Sequence, residues 1–394
     1  MKILCLTPWF PAWPGLQAGS YILDSVNALK AMGHEINVLV LKPWQPRLAG
    51  LLHRDWNNPP LKPDAHDAAF NIQEVCYFSV PRNYLRPVSW WSFHRRAQAA
   101  IRARVEAFKP DVILAHTEMV GAAAVEVARK CGIPSLVVLH GINTSARLDT
   151  EEERRRLRHT LDSADKVILV GEPLRAYFAA RAGRTDHFCV VHNGFVPPLP
   201  TQMTRTGHWP SPLRLISVSN LHEGKGIDLT LKALGALAQQ GIRDWQYTIV
   251  GEGDERAGLE SLASELGLQA QVQFVGAVAH KDVYSSLAAA DVFVLPSWRE
   301  AFGIAWLEAM AMGLLAIAVE GQGPSAFIRD EEKGLLVKGQ DIEDLVRCLR
   351  RVLLDAGNMQ AIARAGQAHV MQRFTWTAHA SALTAVCQSV VKEL

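Results

Sequence analysis

The sequence predicts an α/β protein of two doubly wound, Rossmann-like domains. Three observations lead there. Short apolar runs alternate with helical patterns along the whole chain, the runs are continuous rather than alternating, and the rhythm restarts after a proline-rich interruption. Continuous β-rich runs indicate strands buried on both faces of a parallel sheet.

In the first half the predicted strands are KILCLT (2–7), INVLVL (36–41), EVCYFSV (74–80), DVILAH (111–116), SLVVLH (135–140), KVILVG (166–171) and FCVVHN (188–193). Between most of them sit helix candidates such as SYILDSVNALKAMG (20–33), which Gly33 closes as a C-cap. The second half repeats the pattern with LRLISVS (213–219), QYTIVG (246–251), QVQFVG (271–276), VFVLPS (292–297), LLAIAV (314–319) and GLLV (334–337). The segment 196–212, with five prolines and little periodicity, reads as the linker. The domains are therefore expected at 1–198 and 199–375. Two such domains place a ligand cleft between the carboxyl ends of their sheets.

Composition narrows the function classes. The 394 residues carry a formal net charge of only +2, which argues against a nucleic-acid binder. The charge is uneven: residues 1–200 hold 24 Lys+Arg against 18 Asp+Glu and six of the eleven Trp. That asymmetry points the first half toward a membrane surface or an anionic partner. The six cysteines are scattered, with no CxxC, which reads as a reduced cytoplasmic protein without a disulfide framework or metal site. No run approaches the roughly 20 apolar residues that cross a bilayer, and the opening MKILCLTPWFP reads as a first strand rather than an export signal.

In doubly wound sheets the chemistry sits past the strand ends. The first strand is followed by a loop with Gly15, Gly19 and Ser20 before a helix, able to bring backbone N–H groups to an anion but lacking GxGxxG or a Walker sequence. His116 and His140 end consecutive strands and are expected to open into one crevice. In SNLHEGKGIDLTLKAL (219–234), Lys225 lies between two glycines just before a helix, a placement suited to phosphate. VGEGDE (250–255) is a tight turn that either approaches the ligand or links strand to helix.

The stretch SWREAFGIAWLEAM (297–310) places Glu300 in a loop and Glu308 two turns along an all-apolar, hence buried, helix. Unpaired buried carboxylates are costly. The free N–H groups of the helix start suit a diphosphate, with hydroxyls at either end for Glu300 and Glu308. A nucleotide-sugar has that layout, so a polyhydroxyl ligand is expected to satisfy both carboxylates.

With these motifs the chain resembles the retaining glycosyltransferases of the GT-B fold, family 4. The resemblance spans essentially the whole chain: HG at 140–141, NG at 193–194, KGID at 225–228, VGEG at 250–253, ADVFVLPSWREAFG at 290–303, LEAMAMG at 307–313 and RFTW at 373–376. It implies transfer of a hexose from a UDP- or GDP-sugar to a glycan or lipid-linked oligosaccharide, with retention and with no metal or other cofactor. Glu300, Lys225 and His116 would be catalytic: Glu300 at the donor sugar, Lys225 at the diphosphate leaving group, His116 lining the pocket. Ala301, Phe302, Gly303 and Ile304 would hold the donor through their backbone, and Glu308 the ribose hydroxyls. Gly19, Ser20 and His140 would face the donor from the first domain, while Gly251 and Val275 would lie near the nucleobase. The last helix, 376–394, would cross back to the first domain.

One position departs from the family. Its usual GRL is SNL here, so Asn220 stands where an Arg reaches the phosphates. Asn donates a hydrogen bond without charge, which leaves charge stabilisation to Lys225, the helix start and Arg299. The stretches 42–56 and 90–109 mix Trp, Phe and Leu with Arg and Lys, a blend suited to an anionic membrane face. The rival readings are a non-catalytic nucleotide-sugar-binding protein and a sugar-nucleotide 2-epimerase of the same fold.

Overall fold

The computed structural model describes residues 1–12, 19–44, 71–79, 86–142, 150–199, 201 and 209–392. Two compact units divide the chain. The first comprises Met1–Val170, Leu174–His192 and Trp376–Leu394, the second Gly171–Pro173 and Asn193–Thr375.

Among the described residues the first unit holds seven strands: β1 (Lys2–Thr7), β2 (Glu35–Trp44), β3 (Asn71–Phe78), β4 (Val112–His116), β5 (Ser135–Leu139), β6 (Lys166–Leu169) and β7 (Phe188–Val190). All pair in parallel, in the order β3-β2-β1-β4-β5-β6-β7. Helices α1 (Ser20–Ala31), α2 (Arg86–Phe108), α3 (Glu118–Cys131), α4 (Glu151–Ser163) and α5 (Pro173–Ala179) form the connections. β1, β4 and β5 are almost wholly buried, as continuous apolar runs require. β3 departs from the expectation: it starts at Asn71 rather than 74 and is half exposed, because it is the edge strand and lacks a neighbour on one side.

The second unit is built the same way from β8 (Leu213–Val218), β9 (Trp245–Val250), β10 (Val272–Gly276), β11 (Val292–Val294), β12 (Leu315–Val319) and β13 (Leu335–Val337), ordered β10-β9-β8-β11-β12-β13. Its helices are α6 (Ile227–Gln239), α7 (Arg256–Glu265), α8 (His280–Ala288), α9 (Ile304–Ala311), α10 (Ile342–Leu354) and α11 (Ala356–Arg373). β11 is shorter than VFVLPS suggested and stops before Pro296, which has no N–H to continue a ladder. The chain then returns to the first unit as α12 (Trp376–Lys392), packed on α1.

Strand order reverses between β1 and β4 in the first unit and between β8 and β11 in the second. Crevices outside the carboxyl ends of such strands are the ligand sites of doubly wound sheets. His116 ends β4; Lys225 follows β8; Glu300 follows β11.

Candidate active site

In the second unit the loops after β8 and β11 are stitched together. Residues Glu223–Lys225 form a single 3-10 turn, and the carbonyl of Gly224 accepts from Ser297 Oγ at 3.0 Å and from the Trp298 N–H at 3.2 Å. That holds the backbone leading into Lys225, whose Nζ lies 2.8 Å from Glu300 Oε2. The pair is mostly shielded, with side-chain exposures of 18% and 16%. The His222 ring beside it is held below the ordinary histidine range, first by desolvation and then by the Lys225 charge.

The loop carrying Glu300 is braced from behind by the turn after β12. The Glu300 N–H donates to Gln322 Oε1 at 3.1 Å, and the Glu300 carbonyl accepts from the Gly323 N–H at 2.9 Å. A Cβ on residue 323 would sit 2.3 Å from the backbone nitrogen of Phe302, so only glycine fits. Phe302 is buried against Phe327 and Phe374. Gly303, at φ 101°, then turns the chain into α9, and no side chain caps that helix start. That helix start, uncapped by any side chain, follows directly on the loop that carries Glu300.

Glu308 is buried on α9 as the apolar helix demanded, but the protein itself supplies a partner: Glu308 Oε1 is 3.2 Å from His280 Nε2 at the start of α8. The expectation that a polyhydroxyl ligand alone satisfies the two carboxylates is thereby corrected. Lys225 satisfies Glu300, and His280 shares Glu308. Both carboxylates keep a second oxygen for hydroxyls.

The VGEG turn is explained by backbone packing. A Cβ at residue 251 would lie 1.8 Å from the Ser219 carbonyl oxygen, and one at 253 would lie 2.1 Å from that of Leu221. These glycines let the turn lie flat on SNL, where the Leu221 N–H donates to the Glu252 carbonyl at 2.9 Å. The Asn220 side chain is exposed, and neighbouring Ser219 has a buried Oγ without a hydrogen-bond partner. Val275 interrupts the β10 ladder and is 43% exposed, an apolar surface beside the Gly251 turn.

In the first unit, His116 and His140 meet as expected: His116 Nδ1 lies 2.8 Å from His140 Nε2, with the rings nearly stacked. Burial drives His116 down to about 3, and His140 well below the usual range. The Tyr21 ring covers His140, its centroid 4.8 Å away. Gly19 begins α1 with its Cα against the backbone of Trp9 and Phe10, where a Cβ would clash, and Ser20 opens the helix without a side-chain cap. Gly15 lies outside the described residues, as does all of 42–56 beyond Trp44.

Several residues were not legible as site residues. Thr117, directly after His116, is β-branched yet has φ 80°, and its Oγ1 is buried and unpartnered. Such strain gathers at functional sites. His379 of α12 donates from Nδ1 to the His192 carbonyl at 2.7 Å and so accepts at Nε2 from Ser25 Oγ at 2.8 Å. His280 and Gln322 bond to site carboxylate and backbone. A polar residue opening a helix after a strand, and the GQGP run, were the available signals. Among the described residues no group of three or more His, Cys, Asp or Glu is placed to hold a metal.

Residues 18–194 match the family model described as glycosyl transferase 4-like domain, and residues 201–369 match glycosyl transferases group 1. The amylovoran biosynthesis glycosyltransferase AmsK of Erwinia amylovora is 24% identical over 95% of this chain and 96% of its own. The putative colanic acid biosynthesis glycosyltransferase WcaL of Salmonella typhimurium is 25% identical over 99% of this chain and 100% of its own. Among solved structures, the sucrose-phosphate synthase of Thermosynechococcus elongatus superimposes with a TM-score of 0.76 at 20% identity, over all of both chains. Anabaena Alr3699/HepE in complex with UDP-glucose does so with a TM-score of 0.70 at 19% identity, over 99% of this chain and 100% of its own. These two likenesses concern the fold.

Proposed function

The chain belongs to the family 4 glycosyltransferases of the GT-B fold, and from that premise we propose that it is a retaining, metal-independent hexosyltransferase. Its donor is a UDP- or GDP-sugar and its acceptor a hydroxyl of a glycan or lipid-linked oligosaccharide. The observation that carries this reading is the Lys225–Glu300 pair, 2.8 Å apart, beside the uncapped start of α9 at the second unit's switch point. A cation and free backbone N–H groups suit a diphosphate; a carboxylate suits sugar hydroxyls.

The acceptor oxygen attacks the anomeric carbon from the face that the diphosphate leaves. A carbon–oxygen bond forms, the bond to phosphate breaks, and the acceptor proton passes to the leaving phosphate. Lys225 and the α9 amides stabilise the charge gathering on the diphosphate, so the protein supplies what a metal ion supplies elsewhere. Glu300 and the Ala301–Gly303 backbone hold the sugar, Glu308 the ribose, and Val275 with the Gly251 turn the base. His116, ending β4, is the residue that the first unit contributes to catalysis in this reading. The UDP-glucose named with Anabaena Alr3699/HepE supports the donor class, and the polysaccharide names of AmsK and WcaL support the acceptor class. A transfer assay with labelled nucleotide-sugars tests the reading. Product should form with one donor, and Lys225→Ala should lower its rate by about a hundredfold or more while its melting transition shows that the variant is folded.

We place the reaction at the cytoplasmic face of a membrane. Trp44 pairs with Phe78 across β2 and β3, the Phe78 N–H donates to Ser92 Oγ on α2, and adjacent Trp91 is 61% exposed under Arg95. Exposed aromatics among arginines suit an anionic headgroup layer. Among the described residues no helix is long and apolar enough to cross a membrane, so this contact would be peripheral. The six cysteines are all unpaired, in keeping with the cytoplasm. Flotation with anionic vesicles at low salt should carry the protein upward, and binding should fall on Trp91→Ala.

A further inference from the structure

The first unit holds a half-open cavity of about 600 Å³ at the amino ends of β2 and β3. It lies at the opposite end of the sheet from the carboxyl ends, where β4 finishes in His116. Alternate residues of a strand share a face. Asn37, Leu39 and Leu41 therefore share one face of β2, and the two leucines pack with Ile101, Val105 and Phe108 of α2 in the apolar core. Asn37 stands where that core runs out. It lines the cavity, is only 7% exposed, and among the described residues no hydrogen bond reaches its side-chain amide. A buried amide without a partner is costly, and a leucine there would simply extend the core. The chain keeps a polar group at a place where the fold gains nothing from it.

The groups around Asn37 define what would satisfy it. Asn71 stands beside it in register across β2 and β3. Arg104 of α2 gives one guanidinium nitrogen to Gln73 Oε1 at 2.8 Å, a neutral acceptor, and among the described residues no carboxylate pairs with it. Lys30, in the last turn of α1, adds positive charge to the rim. The rim carboxylate of Glu35 is met by Lys2 Nζ at 3.9 Å. His34 is committed on both nitrogens, to Thr384 Oγ1 at 2.8 Å and to the Met1 amino group at 3.4 Å, and desolvation holds it below the ordinary histidine range. Ile36 and Phe108 supply an apolar wall. A guanidinium fork matches the oxygens of a phosphate or a carboxylate, and cavities of several hundred Å³ are the size that takes small metabolites.

We propose that this cavity is a second binding site, for a small organic anion. Its phosphate or carboxylate rests on Arg104, its hydroxyl or amide groups meet Asn37 and Asn71, and its carbon body lies against Ile36 and Phe108. The site is separate from the nucleotide-sugar site of the second unit, and the inference does not depend on that reading.

Titration calorimetry of the whole chain with ribose 5-phosphate, citrate and uncharged ribose tests the proposal. Ribose 5-phosphate or citrate should bind, and the one that does identifies the head group; at saturation it should raise the melting temperature by a few degrees. Ribose should not bind. Arg104→Gln still reaches Gln73 but lacks the charge, and should weaken binding by about tenfold or more, the scale of a lost charged hydrogen bond. Asn37→Leu should abolish binding yet melt no lower than wild type without ligand, because an apolar group replaces an unsatisfied amide. Lys225→Ala, in the second unit, should bind the anion as wild type does. No binding of either anion would overturn the proposal, as would unchanged affinity in Arg104→Gln or ribose binding as tightly as its phosphate. Loss of binding in Lys225→Ala would move the anion to the second unit and overturn it as well.

Discussion

Lys225 Nζ and Glu300 Oε2 stand 2.8 Å apart across the β8/β11 switch point, although 75 residues separate them in the chain. Each is nearly enclosed, and each is held by backbone bonds of its own loop to a neighbouring loop. A shielded ion pair is weak evidence for stability, because desolvation offsets its attraction, so the pair's placement is better explained by chemistry. Lys225→Ala should lower kcat by about a hundredfold or more, the scale seen when an electrostatic donor to a developing charge is removed. The melting temperature should change by only a few degrees, which calorimetry of the same sample checks.

Glu308 and His280 give a different expectation. Glu308→Gln keeps a hydrogen-bonding group of the same shape beside His280 but removes the charge that strengthens its bonds to a ribose diol. The expected result is a KM for the donor raised about tenfold, with kcat changed little, because the ribose contact is equally present in ground and transition states. Steady-state kinetics with the assigned donor decides it. A kcat loss with unchanged KM would place Glu308 nearer the reacting bond.

Gly323 tests whether the Glu300 loop needs its brace. An added methyl would meet the backbone of Phe302 at 2.3 and 2.4 Å, and neither atom can move without moving the loop. Gly323→Ala should cost about 1–3 kcal/mol of stability, as overpacking does. It should also reduce activity more than nucleotide binding, measured by turnover and melting on one preparation.

Asp291 belongs to the same ADVFVLPS run as the active loop, yet its place is structural. It is buried at the amino end of β11 and takes both forks of the Arg214 guanidinium at 2.9 and 2.8 Å, plus the Arg214 N–H. Asp291→Asn leaves Arg214 without its counter-charge. Arg214 is 40% exposed, so the loss should sit below the usual buried-pair figure, at about 2–3 kcal/mol. Turnover per folded molecule should be unchanged, read from chemical denaturation beside kinetics.

Acid should destabilise the protein through its buried histidines. Desolvation holds His379 at about 4 and His116 at about 3 in the fold, whereas in the unfolded chain both take a proton near 6.5. The fold therefore binds fewer protons than the unfolded chain below 6.5. The stability contribution is complete above that pH and is lost as pH falls from 6.5 toward the folded values. At pH 5 each histidine should cost about 2 kcal/mol relative to pH 8. Melting curves at pH 8, 6.5 and 5 should show a steady drop, and His379→Gln should make it shallower without removing it.

The outcome for the sequence reading follows from what each signal encodes. The strands were legible because parallel sheets bury continuous apolar runs; β3 strayed because an edge strand is half polar. Lys225 and Glu300 were legible because loops at strand ends advertise themselves through glycines and short spacing. His280 and His379 were not, since a histidine on a helix carries no local mark of the carboxylate or strand end that it will meet. Thr117 was hidden for another reason: strain is a property of φ, and no residue type announces it. The second partner of Glu308 was missed because burial was readable from the apolar helix while the α8 start that faces it, with His280, was not.

The central claim is that the second unit's switch point binds a nucleoside diphosphate sugar. The most direct measurement is the thermal shift of the wild-type protein and Lys225→Ala against UDP, GDP, ADP and their common sugar conjugates. A ligand bound only by the folded state raises its stability by about 2.7 kcal/mol at a hundred times its dissociation constant. One nucleotide series should raise the wild-type melting temperature, with a smaller shift for Lys225→Ala. No shift with any nucleotide at saturating concentration would contradict the account.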